Sequence, residues 1–329
     1  MASSFLPPLP PLHCSAVRER IGLSVVQSVS NNEYDTSKVP EYTSLFVGKA
    51  EGILIGVTAS RATFPTRVAE IMKTWASDLP KGVHVRFYVG DPVDDSALPT
   101  GSQGDIAHLA WQANISDTST IVVMKGIKDD EYPLVHKATA VLDYMDKAMH
   151  SLKSPSGDNI VHWAFDVDDD TYINMEALQE FLFKRNFRQH MYIGQQGWGD
   201  WKDAEMLRKG GLTKAYCMGG TGILMTKDTL RVLVKQMNEC IHEARKTMKI
   251  LYDDVLMGVC LQRHIGLGCW TEDPTYNENT FAHNYASSDS FPNAADLWKT
   301  VTLHPHKTPG MMSRTHERFK RFGAWSFSH

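Results

Sequence analysis

Four aspartates lie within five residues at one point of the chain, namely Asp166 and the run Asp168-Asp169-Asp170. Carboxylates at this spacing repel one another, and a divalent cation with oxygen ligands relieves the repulsion. Mg²⁺ or Mn²⁺ bridging a diphosphate is the common use of such a group. If strand geometry continues through the run, Asp168 and Asp170 point to the same side. The other interpretation is a solvated acidic turn that caps a helix starting at Thr171.

A second acidic pair, Asp253-Asp254, comes directly before the apolar segment Val255-Leu256-Met257-Gly258, which is typical of a helix. One of the two carboxylates is therefore expected to be an N-cap. The other, projecting into a cleft, could be the general base that removes a proton from an acceptor hydroxyl.

The segment Gly219-Gly220-Thr221-Gly222 leaves the backbone open to a closely approaching sugar, because glycine has no Cβ. A bulge or tight turn before a strand explains the same residues. The segment lacks the Lys-Ser/Thr of a P-loop and does not match GxGxxG, which disfavours nucleotide binding by either of those modes.

Two late histidines, His283 and His304, are candidates for a metal ligand, although a single histidine is more often a surface or core residue. Arg67, Lys137 and Lys307 could pair with phosphates or a substrate carboxylate. Each of these three is also explained as an ordinary surface cation.

Strands and helices that alternate along the first half of the chain must position these residues. The apolar run Gly52 to Thr58 predicts a buried strand, Val83 to Val89 a second and Thr120 to Met124 a short third. Ile160 to Val167 predicts the strand that leads into the acidic run. In open α/β sheets ligands bind at the carboxyl ends of the strands, which is where the aspartates lie.

The helices between these strands follow from apolar periodicity. Pro65 opens a helix with Val68, Ile71, Met72 and Trp75 at i, i+3, i+4 and i+7. A second helix carries Ala138, Val141, Leu142 and Met145 on one face. Strand, helix and strand at this spacing form βαβ units, which build parallel sheets.

The second half has a different pattern. Tyr216 to Met225 reads as a glycine-rich approach running into a strand, and a helix follows from Lys227 to about Glu243. Another helix follows Asp253-Asp254, and residues 270 to 300 look irregular. Residues 1–48, rich in Ser, Pro and Asn, are predicted to be a flexible leader or truncated stem, so the globular domain spans 49–329.

Composition limits the function. The 329 residues are 42% hydrophobic and 22% charged, enough for a sizeable core in one large or two small domains. A net charge of -4 gives no polybasic footprint, so nothing points to nucleic acid or an anionic membrane. No uncharged apolar stretch of about 18 residues predicts a transmembrane helix, and the proline-broken start is a poor signal peptide.

Four of the five cysteines, Cys217, Cys240, Cys260 and Cys269, fall close together without a CxxC pair. They are unlike a zinc site and could form two disulfides with three possible connectivities. Buried free thiols in a cytosolic protein are the alternative. Asn114-Ile115-Ser116 is a glycosylation sequon, which is weak evidence because the triplet is common by chance.

Taken in order, several segments resemble the fringe-like glycosyltransferases of family 31, and most closely the N-terminal β1,3-glucuronyltransferase half of the chondroitin synthases. The matching segments, which span about 50 to 310, are GVTASRATFPTRVAEIMKTW (56–75), DDEYPLVHKATAVLDYM (129–145), WAFDVDDDTYI (163–173), YIGQQGWG (192–199), YCMGGTGILMTKDTLRVL (216–233), YDDVLMGVCLQR (252–263) and TLHPHKTP (302–309).

The resemblance implies a GT-A fold, an α/β fold with a mixed central sheet and flanking helices. It implies an inverting transfer from a UDP-sugar donor with Mn²⁺, or Mg²⁺, held through the DxD element. By position Asp168 and Asp170 attend the metal and diphosphate, and either His283 or His304 completes the metal shell. Asp254 falls where relatives carry the catalytic aspartate. The implied donor-binding residues are Arg67, Asp91, Lys137, Asp168, Asp169, Gly219 and Gly220.

The clustered cysteines also find counterparts in the chondroitin synthase pattern, which implies two disulfides and the lumen of the Golgi or secretory pathway. The sequence departs from the family pattern in two ways, because it shows neither the usual N-terminal membrane anchor nor the second transferase domain of the chondroitin synthases. The second departure argues against a bifunctional polymerase. The expected activity is β1,3 transfer of a hexose or hexuronic acid to a glycan or glycoprotein acceptor. The alternatives are a non-catalytic partner that stabilises another glycosyltransferase and a carbohydrate-binding module without turnover.

Overall fold

The computed structural model describes residues 52–91, 99–129, 135–153, 160–197, 212–248, 252–270, 281–284 and 300–326. The described residues from Gly52 to Glu317 belong to one compact unit, and residues 318–326, which are helical, are assigned to a second unit. The predicted leader, residues 1–48, lies outside the described residues. In the described part of the chain no helix is both long and apolar enough to cross a membrane.

The described elements alternate as the sequence predicts in the first half of the chain. The strands are β1 (Ile53–Thr58), β2 (Val83–Asp91), β3 (Ile121–Lys128), β4 (Trp163–Asp168), β5 (Tyr172–Ile173), β6 (Tyr192–Ile193), β7 (Gln196–Gly197), β8 (Tyr216–Cys217), β9 (Ile223–Thr226), β10 (Ala282–Asn284) and β11 (Thr302–His304). The α-helices are α1 (Ala69–Lys73), α2 (Gln103–Ala113), α3 (Val135–Ser151), α4 (Met175–Phe183), α5 (Lys227–Met248), α6 (Asp253–Ile265) and α7 (Met311–Ser326).

The central sheet has six strands in the order β3-β2-β1-β4-β9-β6. The first four are parallel, whereas β9 pairs antiparallel with both β4 and β6. The prediction of an α/β fold with a mixed central sheet and flanking helices is confirmed. Because β1 and β4 run in the same direction, their carboxyl ends, Thr58 and Asp168, pair at one edge of the sheet.

Apolar runs in the sequence become the buried strands and helix faces. Five of the six residues of β1 are buried, as expected for a strand covered on both faces. The predicted face of α3 is buried against the sheet, and Met145 contacts the middle of β1. A Cβ at Gly56 would lie 2.4 Å from the Met145 sulfur, so glycine is required for this close packing.

Two predicted elements differ in detail. The helix predicted from Pro65 begins as a π-helical turn, Phe64–Val68, and continues as the short α1, which ends where Thr74 leaves helical geometry. Trp75 is buried beyond the helix end rather than on its face. The strand predicted at the end of segment 216–225 is β9, which extends one residue beyond that segment, and the glycine-rich part forms the turn between β8 and β9.

Two disulfides connect the second half of the chain, as predicted from the clustered cysteines. Cys217 in β8 pairs with Cys269, and Cys240 in α5 pairs with Cys260 in α6. Both bonds converge on α6 or the residues just after it. The second half of α6 and the residues after it are therefore fastened to α5 and β8.

Candidate active site

A cavity of about 140 Å³ lies at the carboxyl ends of β1 and β4. Two acidic segments that are distant in sequence and the glycine-rich turn meet in its wall. Its lining residues are Thr58, Ala138, Asp166, Val167, Asp168, Gly219, Gly220, Ile223, Tyr252, Asp253, Asp254 and Met257.

The acidic run does not continue as a strand. β4 ends at Asp168, and the chain then turns, with the Thr171 N–H donating to the Asp168 carbonyl at 3.1 Å. The strand geometry on which the alignment of Asp168 and Asp170 was conditional does not continue, and the turn brings the two carboxylates together instead. One ligand atom from each of Asp168, Asp170 and His304 lies within 4.8 Å of the others.

The interpretation of the acidic run as a helix cap is also wrong. No helix starts at Thr171, since the chain enters β5 there. The next helix, α4, begins at Met175 and is capped by Asn174, whose Oδ1 accepts from the Ala177 N–H at 3.3 Å.

His304 reaches the acidic run through a small three-stranded sheet in the order β10-β11-β5. His304 is the last residue of β11, and its Nε2 lies 3.2 Å from Asp170 Oδ1. Because β5 directly follows the acidic turn, pairing β11 with β5 brings this histidine to the carboxylates. His283 lies in β10, opposite Leu303, and its side chain is outside the described part of the structure.

The glycine-rich segment is a tight turn, as one of its two interpretations predicted, and Gly219 and Gly220 also line the cavity. The Gly222 N–H donates to the Gly219 carbonyl at 2.8 Å, and Gly222 has a φ of 94°. A Cβ at Gly220 would lie 2.7 Å from the His304 ring. The Thr171 hydroxyl donates to the Gly220 carbonyl at 2.8 Å, which fixes the turn beside the acidic run.

The second acidic pair occupies the first turn of α6. The N-cap residue is Tyr252, which makes no side-chain capping bond, so the prediction of an aspartate N-cap is wrong. Asp254 Oδ2 instead accepts from the Gly219 N–H at 3.1 Å, and its Oδ1 accepts from the Val255 N–H at 2.7 Å. These bonds aim the Asp254 carboxylate at the glycine turn rather than leaving it to cap the helix.

The lining carboxylates carry uncompensated negative charge. Burial and the charge of Asp253 raise the pKa of Asp166 to about 7. Burial and the neighbouring aspartates, Asp170 first among them, raise the pKa of Asp168 well above its ordinary value. Burial and the charge of Asp254 raise the pKa of Asp253 to about 6, and burial raises that of Asp254. A bound cation would relieve this repulsion.

The pKa of Asp170 is shifted in the opposite direction. Burial acts to raise its pKa, but the hydrogen bond and charge of His304, together with Arg67 and Lys307, outweigh burial and lower it. Two oxygen ligands and one imidazole nitrogen within reach of one another suit a divalent ion such as Mn²⁺. Asp168, Asp170 and His304 are thus the described residues that could hold a metal.

Asp169 has different contacts from its two neighbours. Arg67 Nη1 lies 2.8 Å from Asp169 Oδ1 and 3.5 Å from Asp170 Oδ2. The Thr63 hydroxyl donates to the other Asp169 oxygen. The structure therefore places Arg67 beside the acidic run, as expected, but directs Asp169 to the loop after β1 and away from the ligand group.

Two other predicted donor-binding residues lie outside the cavity lining. The Lys137 ammonium is buried and donates to the Ala59 carbonyl and to Asp129 Oδ1, both at 2.7 Å. Asp91 Oδ2 accepts from the Gly126 N–H at 2.7 Å. Lys137 therefore joins α3 to the loop after β1.

Sequence reasoning missed Asp129 and Thr63. Asp129 accepts from Lys137, from the Gly90 N–H at 2.7 Å and from the Arg61 N–H. Thr63 and Arg61 belong to the segment directly after β1, whose end lies beside that of β4. Their position just after a strand was the sequence signal that could have identified them, because side chains that follow neighbouring parallel strands lie close together.

The fold and the site together define an α/β protein with an acidic cavity at the carboxyl edge of its sheet. The family model described as Fringe-like matches residues 48–276, and the chain belongs to that family. A second model, described as Chondroitin N-acetylgalactosaminyltransferase, matches residues 236–325.

Curated relatives agree with this family. Chondroitin sulfate synthase 3 from Mus musculus is 27% identical over 274 residues, covering 82% of this chain and 27% of the relative. Chondroitin sulfate glucuronyltransferase from Homo sapiens is 23% identical over 289 residues, covering 88% of this chain and 31% of the relative. The chain thus spans between a quarter and a third of the length of these relatives.

Among solved structures, the galactosyltransferase LgtC in complex with donor and acceptor sugar analogues is similar to 84% of this chain and 97% of its own, with 13% identity and a TM-score of 0.45.

Asp253→Asn tests the electrostatics of the cavity in metal-free protein. Because the folded-state pKa of Asp253 is raised to about 6, the folded protein binds this proton more tightly than the unfolded chain. The contribution of Asp253 to stability is therefore present at low pH and lost as pH rises through 6. We expect the stability gained by D253N over wild type to shrink by about 1 kcal/mol from pH 8 to pH 5.

Urea unfolding in the presence of chelator at the two pH values measures this difference. Asp78→Asn, at an exposed carboxylate, is the control. An equal effect of D253N at both pH values would show that the cavity does not perturb this group.

Gly220→Ala tests the role of the glycine turn in placing His304. A methyl group at Gly220 would lie 2.7 Å from the ring, whereas one at Gly219 would make an ordinary 3.5 Å contact with Asp254. We expect G220A to weaken Mn²⁺ binding about tenfold or more, and G219A to weaken it less. Thermal shift against Mn²⁺ concentration measures both, and equal Mn²⁺ affinities of the two variants would contradict the assignment.

Proposed function

We propose that this chain is an inverting glycosyltransferase of GT-A type that moves a hexose or hexuronic acid from a UDP-sugar, in β1,3 linkage, to a glycan acceptor. The observation that carries the proposal is the meeting of two acidic sites in one cavity. Asp168, one member of the Asp168, Asp170 and His304 ligand group, lines the cavity together with Asp254, which is held beside Gly219. Membership of the Fringe-like family and the printed names of the relatives support it.

Asp168, Asp170 and His304 would hold Mn²⁺ or Mg²⁺ together with the donor diphosphate. When bound, the metal would stabilise the negative charge that develops on the leaving diphosphate. The chemistry of the ligand set fits, because oxygen donors and one imidazole nitrogen suit such ions. Arg67 and Lys307 both act on Asp170 electrostatically, so positive charge is already directed at this end of the cavity.

Asp254 would be the general base. Its carboxylate accepts from the Gly219 and Val255 N–H groups, which fixes its orientation next to the turn that would line the donor sugar. Burial raises its pKa above the usual value for an aspartate, which makes the carboxylate a stronger base. Inversion needs one in-line displacement, in which the acceptor hydroxyl attacks the anomeric carbon, UDP leaves and Asp254 takes the proton.

Gly219 and Gly220 would allow the donor sugar to approach the backbone closely. Lys137, whose ammonium is held by Asp129 and Ala59, would act by shaping the loop after β1. Asp91 and Asp169 would complete the donor side as positioning groups.

The two disulfides support a place in an oxidising compartment. We propose the lumen of the Golgi or secretory pathway, with a glycan or glycoprotein as acceptor. Association with another glycosyltransferase is the alternative role, in which this chain would be a non-catalytic partner.

A donor screen tests the proposed function. Purified protein is incubated with a panel of UDP-sugars and hexosamine-ended oligosaccharides, with Mn²⁺ or with chelator, and UDP release is measured. We expect acceptor-dependent release with one donor, loss of release in chelator, and a fall in kcat of about 10²- to 10⁴-fold in Asp254→Asn.

Asp143→Asn is the matched control, because this aspartate of α3 does not line the cavity. The donor assignment fails if no UDP-sugar gives release, and the base assignment fails if D254N keeps full activity. In the first case the non-catalytic role becomes the better account.

A further inference from the structure

An exposed aromatic ring lies at the mouth of the cavity. Among the described residues, the large apolar side chains that are exposed are Trp111, Phe183 and Tyr252, at 77%, 50% and 56%. Of these three, Tyr252 is the one that lines the cavity. A side chain that is more than half exposed and still lines a cavity lies at its opening, so Tyr252 marks where solvent reaches the site.

The backbone of Tyr252 is fixed although its ring is exposed. Tyr252 is the N-cap residue of α6, and its carbonyl accepts from the Leu256 N–H at 3.1 Å. Asp254, the proposed base, is two residues further along the same helix start. The disulfide between Cys240 and Cys260 joins α6 to α5, which limits movement of this helix relative to its neighbour.

The chemistry of transfer divides the cavity into two ends. The metal ligand group at Asp168, Asp170 and His304 would hold the diphosphate. The acceptor must then reach Asp254 from the open side, where it meets Tyr252 before any other large side chain among the described lining residues. A pyranose ring has an apolar C–H face and a hydroxyl-bearing edge, and an aromatic ring with one wet end suits such a ligand.

We propose that the Tyr252 ring binds the terminal sugar of the acceptor glycan by stacking against its C–H face, so that the acceptor hydroxyl is presented to Asp254. This assignment rests on the proposed function. It makes Tyr252 a positioning residue for the acceptor and names an occupant for the open end of the cavity, the neutral sugar at the non-reducing end of a glycan.

The first readout is kinetic, with an N-acetylgalactosamine-ended chondroitin oligosaccharide as the probe. We expect Tyr252→Ala to raise the ratio of acceptor KM to donor KM about five- to tenfold, as for the loss of one stacking contact. Tyr252→Phe keeps the ring and is expected to stay within about twofold of wild type. Trp111→Ala removes a ring that is more exposed and does not line the cavity, so it is the matched control.

The second readout does not require turnover. Binding of the same oligosaccharide to the Asp254→Asn protein is followed by saturation-transfer NMR, with Y252A, Y252F or W111A added to that variant, and thermal unfolding confirms that each is folded. Weaker binding in Y252A with binding kept in Y252F and W111A supports the proposal even if no UDP-sugar is turned over.

Three results would overturn it: a KM ratio and binding unchanged in Y252A, an equal loss in Y252A and Y252F, or no oligosaccharide binding without the tyrosine substitution. The second result would assign the effect to the hydroxyl instead of the ring face. If no donor is turned over but the oligosaccharide still binds in a way that depends on Tyr252, the proposed transfer activity is rejected and the proposed acceptor site is kept.

Discussion

Repulsion between carboxylates in one cavity is the constraint on which the site depends. Asp166, Asp168, Asp253 and Asp254 all have raised pKa values, and burial is the first cause at each of them. Burying a carboxylate without an opposite charge costs several kcal/mol or changes its protonation state. A divalent cation at the edge of the cavity would relieve this cost for the four aspartates.

Separate parts of the fold bring these charges together. Parallel pairing of β1 and β4 sets the acidic run at the end of the sheet. The small sheet of β5, β10 and β11 delivers His304, and the two disulfides fasten α5 and β8 to α6 and the segment after it. The glycine turn lies between them, with Gly220 against the histidine ring and Gly219 bonded to Asp254. A change at this turn is therefore expected to affect both His304 and Asp254.

Local patterns predicted the parts of the fold that depend on local periodicity. The buried runs of β1 and β4 and the apolar face of α3 were predicted correctly, because the spacing of apolar residues in the sequence shows which positions are buried. The helix caps were predicted wrongly, because the N-cap residues are Asn174 and Tyr252 instead of the nearby aspartates. The contact of His304 with Asp170, across more than a hundred residues, depends on strand pairing that no local pattern contains.

The central claim is that the end of β4 and the end of β11 form one metal site that holds a nucleotide diphosphate beside Asp254. Crystals of the protein grown with Mn²⁺ and UDP, measured on both sides of the manganese absorption edge, test it directly. The account predicts one anomalous peak within about 2.5 Å of ligand atoms from Asp168, Asp170 and His304, with diphosphate density in contact with it. A peak elsewhere, or bound UDP without manganese at these residues, would contradict it.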